Sequence, residues 1–112
     1  MEIKLSTYTE KTSGRYKDSG EYSGEWFLED ILMPAINSLS DGEKIYLNFD
    51  NCQIHPGFLD EAFSKLISKY RFQKFADTFM FNGQEQSYMF DILGIIVGAE
   101  MYTFGKVITQ II

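Results

Sequence analysis

Hydrophobic and polar positions change period several times along this chain, and each change marks an element. In "EIKLSTY", residues 2–8, Ile3, Leu5 and Thr7 alternate with Lys4, Ser6 and Tyr8, the period of a half-exposed strand suited to a sheet edge. From residue 23, "SGEWFLEDILMPAINSL" sets Leu28, Ile31, Leu32, Ala35, Ile36 and Leu39 on one stripe of an amphipathic helix. Ser23 has the chemistry of its N-cap, and Glu25, Glu29 and Asp30 fall in early turns, where the helix dipole favours carboxylates. Pro34 removes a backbone donor and crowds the carbonyl four residues earlier, so a kink or two short helices are expected there. "SDGEK" at 40–44 reads as a turn. "KIYLNFD" at 44–50 reads as a central strand, with Ile45, Leu47 and Phe49 on one face and Tyr46 on the other.

A second helical stripe, Phe58, Leu59, Ala62, Phe63, Leu66, Ile67 and Tyr70, follows in "FLDEAFSKLISKY". Asp60 and Glu61 lie near its start, and Lys65, Lys69, Arg71 and Lys74 at or beyond its expected end, an order the dipole prefers. "DTFMFNG" predicts a third strand closed by an Asn-Gly turn, and "QEQSYMFDILGIIVGAE" a third helix. "KVITQII" suits either a strand or a helix face. The alternation of strand and helix predicts an α/β fold: one domain over residues 1–112, with a mainly parallel or mixed sheet backed by three or more helices.

Composition narrows the functional classes. Ten Lys plus Arg against sixteen Asp plus Glu give a net charge of −6, which repels phosphate backbones and anionic headgroups, so neither nucleic acid nor a membrane surface is an expected partner. The apolar run at 88–104 is broken by Asp91 and Glu100 and reads as a buried helix. The N-terminus lacks the basic-then-apolar layout of a signal peptide, and one cysteine cannot form an internal disulfide, so a cytoplasmic location is expected. Aromatics make up 16% of the chain; core filling accounts for most, and the excess points to rings at the surface able to anchor a partner.

Two segments invite a chemical reading. "GRYKDSGEYSGEWF", residues 14–27, is rich in glycine, but Gly20 is followed by Glu21 where a Walker loop needs lysine. The spacing of Gly14, Gly20 and Gly24 also fails the dinucleotide pattern. Arg15 and Glu25 are placed to pair across the bend and brace the loop against the helix start. "DNCQIHPG", residues 50–57, lies where the central strand ends and the next helix begins, the edge at which open α/β sheets meet their ligands. Cys52 and His55 supply the residue types of a thiolate-imidazole pair but nothing that implies an oxyanion site. Asp50, Cys52 and His55 do not have zinc spacing. No catalytic residue, metal or cofactor is therefore assigned.

Taken together these segments resemble the STAS-like domains of unknown function found in small bacterial proteins. The resemblance rests on Gly14, Arg15, Tyr16, Gly20, Ser23, Gly24, Glu25 and Phe27, then Leu32, Pro34 and Ala35, then Phe58, Leu59, Asp60, Glu61, Ala62 and Phe63. It implies a fold related to the anti-sigma-factor antagonists, which are not enzymes, and a partner protein of the class of ATP-binding switch kinases. Those antagonists are phosphorylated on a serine at the start of the second main helix; here Pro56 and Gly57 stand before Phe58, with no hydroxyl. The expected function is a regulatory protein-interaction module in signalling. Its docking surface would draw on Arg15, Tyr16, Tyr22, Glu25 and Trp26 from the loop, Asp50, Asn51, His55, Gly57 and Phe58 from the strand end, and Asp60 and Glu61 from the helix. The alternatives are a small-ligand or nucleotide sensor using the same edge, and a small acidic inhibitor protein of a mobile element.

Overall fold

A computed structural model describes residues 1–82, and its three strands, β1 (Glu2–Lys4), β2 (Ile45–Asn48) and β3 (Phe79–Asn82), form one parallel sheet in the order β1-β2-β3. Register aligns Ile3 with Leu47 and Leu47 with Phe81, while Ile45 aligns with Phe79. That row of side chains is the covered face of the sheet: Ile3, Ile45, Leu47 and Phe79 are buried and Phe81 packs against them. Glu2, Lys4, Tyr46 and Met80 point the other way and are exposed. Among the described strands β2 is central and β1 an edge, as the alternation predicts. β1 is shorter than expected, because Leu5–Thr7 turn into a 3-10 stretch that drives Leu5 into the core.

The first helix spans residues 24–37 without a break and changes hydrogen-bond pattern twice. It is α-helical over Gly24–Trp26, π-helical over Phe27–Leu32, and α-helical again over Met33–Asn37. Ser23 caps it, its hydroxyl accepting from the Trp26 N–H at 3.1 Å. Around Pro34 the expected kink or pair of short helices takes the form of two α-helical stretches joined by the π-helical one. Pro34 stands in the first turn of the last α-helical stretch, so the missing N–H is absorbed where the wider π pattern hands over. The wide turn also corrects the buried stripe. Phe27 and Leu32, five residues apart, are the two fully buried side chains of the helix, while Leu28, Ile31, Ala35, Ile36 and Leu39 are only partly covered.

The long helix, Pro56–Thr78, runs back from the carboxyl end of β2 to the amino end of β3, the crossover that two parallel strands require. Phe58, Leu59, Ala62, Phe63, Leu66, Ile67 and Phe75 are buried on the sheet and first-helix side. It outlasts the expected segment by two turns, so Lys65, Lys69 and Lys74 lie along its body rather than at its end. Asp77 and Thr78, expected in the third strand, are its last residues. The third helix and final segment expected at 84–112, and Gly83 of the Asn-Gly turn, lie outside the described residues.

Candidate docking rim at the carboxyl edge of the sheet

Where β2 ends, the Asp50 N–H bonds to Asn48 Oδ1 at 2.9 Å and Asn51 adopts φ 62°, a left-handed turn that asparagine tolerates better than most residues. The chain then lies against residues 10–13. Gln53 N–H donates to the Glu10 carbonyl (2.8 Å) and Thr12 N–H to the Gln53 carbonyl (2.9 Å). Thr12, only 4% exposed, takes the His55 N–H on Oγ1 at 2.8 Å. His55 caps the long helix in turn, its Nδ1 accepting the Gly57 N–H at 2.9 Å, which leaves that nitrogen unprotonated in this arrangement.

The 14–25 loop is pinned from the other side. Gly24 N–H donates to the Gly14 carbonyl (3.0 Å) and Glu25 N–H to the Arg15 carbonyl (2.8 Å). Glu25 does not pair with Arg15 as expected. Its carboxylate accepts the Lys17 backbone N–H at 2.9 Å, holding the loop internally, and the Arg15 guanidinium reaches across to Asp60 on the long helix. Arg15 extends over Gly57, where a Cβ would lie 2.9 Å from its Cγ. The hydrogen bond to Asp60, then the charge of Asp60, hold the Arg15 proton even more firmly than usual. Lys17 is likewise raised, first by its hydrogen bond to Glu29 (2.8 Å) and then by neighbouring carboxylates.

The expected site residues therefore separate. Arg15, Tyr16, Asn51 and His55 are exposed; Arg15 and His55 both lie against Gly57, and Asp60, half-buried, pairs with Arg15. Asp50 is half-buried too, and Gly57 is buried under Arg15. Phe58 is not available to a partner: it is fully buried, with its ring 5.2 Å from that of Phe27. Glu61 is also removed from the surface, 5% exposed and ion-paired with Lys65 one turn on. Tyr22 and Trp26 are half-buried and belong to a separate ring cluster with Tyr8. Thr12 escapes sequence reasoning because "TEKTS" carries no periodic cue that would distinguish a hub from a loop, and Tyr8 because it reads only as the outward end of an edge strand.

Burial pushes the Cys52 thiol up, the direction opposite to that of an activated nucleophile. Ser64, the hydroxyl nearest along the helix from its start, donates to the Asp60 carbonyl at 2.6 Å and lies against the helix body. Among the described residues no group of three or more metal-ligating side chains converges, and no helix is long and apolar enough to cross a membrane. A cavity of about 10 Å³, bounded by Ile36, Leu66, Tyr70 and Phe79, sits at the opposite end of the strands and has room for about one water.

A parallel sheet with both helices on one face, and a capped helix rising from its central strand, defines an α/β domain of the STAS-like class. The family model described as a STAS-like domain of unknown function (DUF4325) matches residues 23–89, more than half of the chain, and the protein belongs to that family. The matched residues include Ser23 to Phe27 and the whole start of the long helix, whereas Arg15 and Tyr16 precede them. Comparison with curated proteins and with solved structures finds no significant match.

Proposed function

We propose that this protein is a regulatory protein-interaction module that acts without catalysis, and that its partner docks on the rim formed by Arg15, Tyr16, Asn51, His55 and Asp60. The observation that carries this reading is the Arg15–Asp60 pair. It links a loop to the long helix at the surface, beside a tyrosine that is 48% exposed, and the backbone beneath it is held by hydrogen bonds to three segments. Such a pair contributes little to stability in water, yet it presents a fixed positive and negative group next to an aromatic anchor. Preformed geometry of this kind lowers the ordering cost of association.

An ATP-binding switch kinase is the partner class that the family resemblance suggests, and the first turn of the long helix offers it no hydroxyl. Regulation here is therefore assigned to docking itself rather than to phosphorylation of that turn. The test is affinity capture in the native host with the wild-type chain and with Tyr16→Asp and Asp60→Arg, each first shown by circular dichroism to be folded. Loss of the same captured protein in both variants is the expected result. Retention of every captured protein by both removes the rim as a docking surface.

A further inference from the structure

At the amino end of the strands, away from the rim and independent of the reading above, two cations without counterions stand beside an apolar hollow. Leu66, Tyr70, Lys74 and Thr78 are spaced by four residues, so they form one line along the long helix. With Ile36 of the first helix and Phe79 of β3, that line bounds the cavity of about 10 Å³. Its floor is buried, Leu66 being 1% and Phe79 5% exposed, and its mouth is polar, with Lys74 exposed and Tyr70 half-buried. The Lys74 ammonium lies 5.3 Å from the centre of the Tyr70 ring, and the Lys69 ammonium lies 5.3 Å from the same centre. Lys17 and Lys65 each have a carboxylate within ion-pair distance; among the described residues neither Lys69 nor Lys74 has one.

We infer that this hollow is a docking point for a protein segment in which a branched aliphatic residue stands next to a carboxylate. Charge complementarity sets the sign. Two ammoniums that share one ring repel each other, and the ring face offsets only part of that; an incoming carboxylate relieves the repulsion, whereas a cation adds to it. Size sets the apolar part. Room for about one water is room for one methyl group, so the hollow takes the tip of a Leu, Ile or Val side chain and is too small to enclose a free metabolite. Ile36, Leu66 and Phe79 give that methyl an apolar lining, which favours its transfer out of water. The net charge of −6 opposes a polyanion such as a nucleic-acid strand, so an isolated carboxylate on a peptide suits the site better than a row of phosphates.

The methyl resonances of Ile36 and Leu66 report on this hollow. The full chain is titrated with end-blocked Glu-Leu-Glu, Lys-Leu-Lys and Glu-Ser-Glu peptides and with isovalerate. Saturable shifts are expected with Glu-Leu-Glu, with binding at least about tenfold weaker for Lys-Leu-Lys and at least about threefold weaker for Glu-Ser-Glu and isovalerate. Lys69 and Lys74 are exposed, so Lys69→Glu and Lys74→Glu should fold, as circular dichroism checks. Each is expected to weaken Glu-Leu-Glu at least about fivefold, and the two together to reverse the preference toward Lys-Leu-Lys. Tyr16→Asp at the rim is expected to change nothing here. No saturable shift, equal binding of Lys-Leu-Lys, Glu-Ser-Glu or isovalerate, or insensitivity to both lysine substitutions overturns the proposal. Loss in Tyr16→Asp would move the peptide to the rim and also overturn it, whereas failure of the peptides alone leaves partner capture by the rim intact.

Discussion

Gly24→Ala tests the crossing on which the rim depends. A methyl group at this position would stand 2.5 Å from the Phe58 carbonyl oxygen, 2.9 Å from Glu61 Cβ and 3.1 Å from Phe58 Cα. Two of these atoms are helix backbone, so no side-chain rotation relieves the overlap and the two helices must separate. Overpacking of that kind costs about 1–3 kcal/mol. Alanine recovers up to about 1 kcal/mol as the better helix former, less at a first helical residue. The net expectation is a loss of roughly 2 kcal/mol, which for a chain of this size lowers Tm by about 8 °C. In urea the midpoint falls by roughly 1 M with the slope unchanged. The control is Gly42→Asn: Gly42 has φ 78° and nothing within 4 Å of a Cβ, so asparagine, which tolerates that backbone, is expected within about 0.5 kcal/mol of wild type. A Gly24→Ala chain as stable as wild type, or a control that loses as much, would refute the close approach of the helices.

Thr12→Val keeps the shape but removes the acceptor of the His55 N–H, and leaving that half-buried donor unpaired is expected to cost about 1–3 kcal/mol in a chemical melt. Arg15→Ala breaks an exposed ion pair, so stability should change by less than about 1 kcal/mol while partner capture is lost; a larger fall in Tm would make the pair structural. Alkaline pH should weaken the fold. Cys52 is raised above its ordinary 9.0 by burial, and Lys65 above 10.5, first by its hydrogen bond to Glu61. Both groups therefore hold their protons more tightly folded than unfolded. Their contributions are complete below those ordinary values and decline as pH rises through the raised ones, so Tm should be flat near neutrality and fall above about pH 9. Cys52→Ala should remove the earliest part of that fall, as calorimetry across the alkaline range would register.

The elements that sequence reveals are those in which one face is buried. Ile45, Leu47 and Phe49 alternate with Tyr46 because β2 is covered on one side only, and the Phe58 to Ile67 stripe follows the α-helical period because the long helix lies on the sheet. The first helix defeats the same reasoning: its fully buried pair, Phe27 and Leu32, is spaced for a π turn, and an α-helical template puts them on different faces. Phe58 shows a second limit. An apolar residue opening a helix fits a surface anchor or a core position equally well, and only the approach of Gly24 shows that Phe27 covers it. Local spacing pairs Arg15 with Glu25 because they share a loop, yet its partner Asp60 is 45 residues away, a separation that such spacing cannot reveal.

That long-range pairing is one of several contacts that hold in place a loop with little regular structure. Between Tyr8 and Tyr22 the chain has little secondary structure, but Ser13 N–H donates to the Tyr22 carbonyl at 2.8 Å, closing the loop on itself. Thr12 ties one side to the start of the long helix, and Gly14 and Arg15 tie the other to the first helix. One closed loop thus sets both Arg15 at the rim and Tyr22 in the ring cluster. Opening it should disturb both surfaces, whereas changing a side-chain tip should disturb one. Ser13→Ala is the discriminating change, because its Oγ accepts the Tyr22 N–H at 3.3 Å and touches neither surface. It is expected to weaken rim capture and to shift the Trp26 emission together, with a loss of about 0.5–1.5 kcal/mol in stability. If only one of the two changes in Ser13→Ala, the rim and the ring cluster are not held by a common loop.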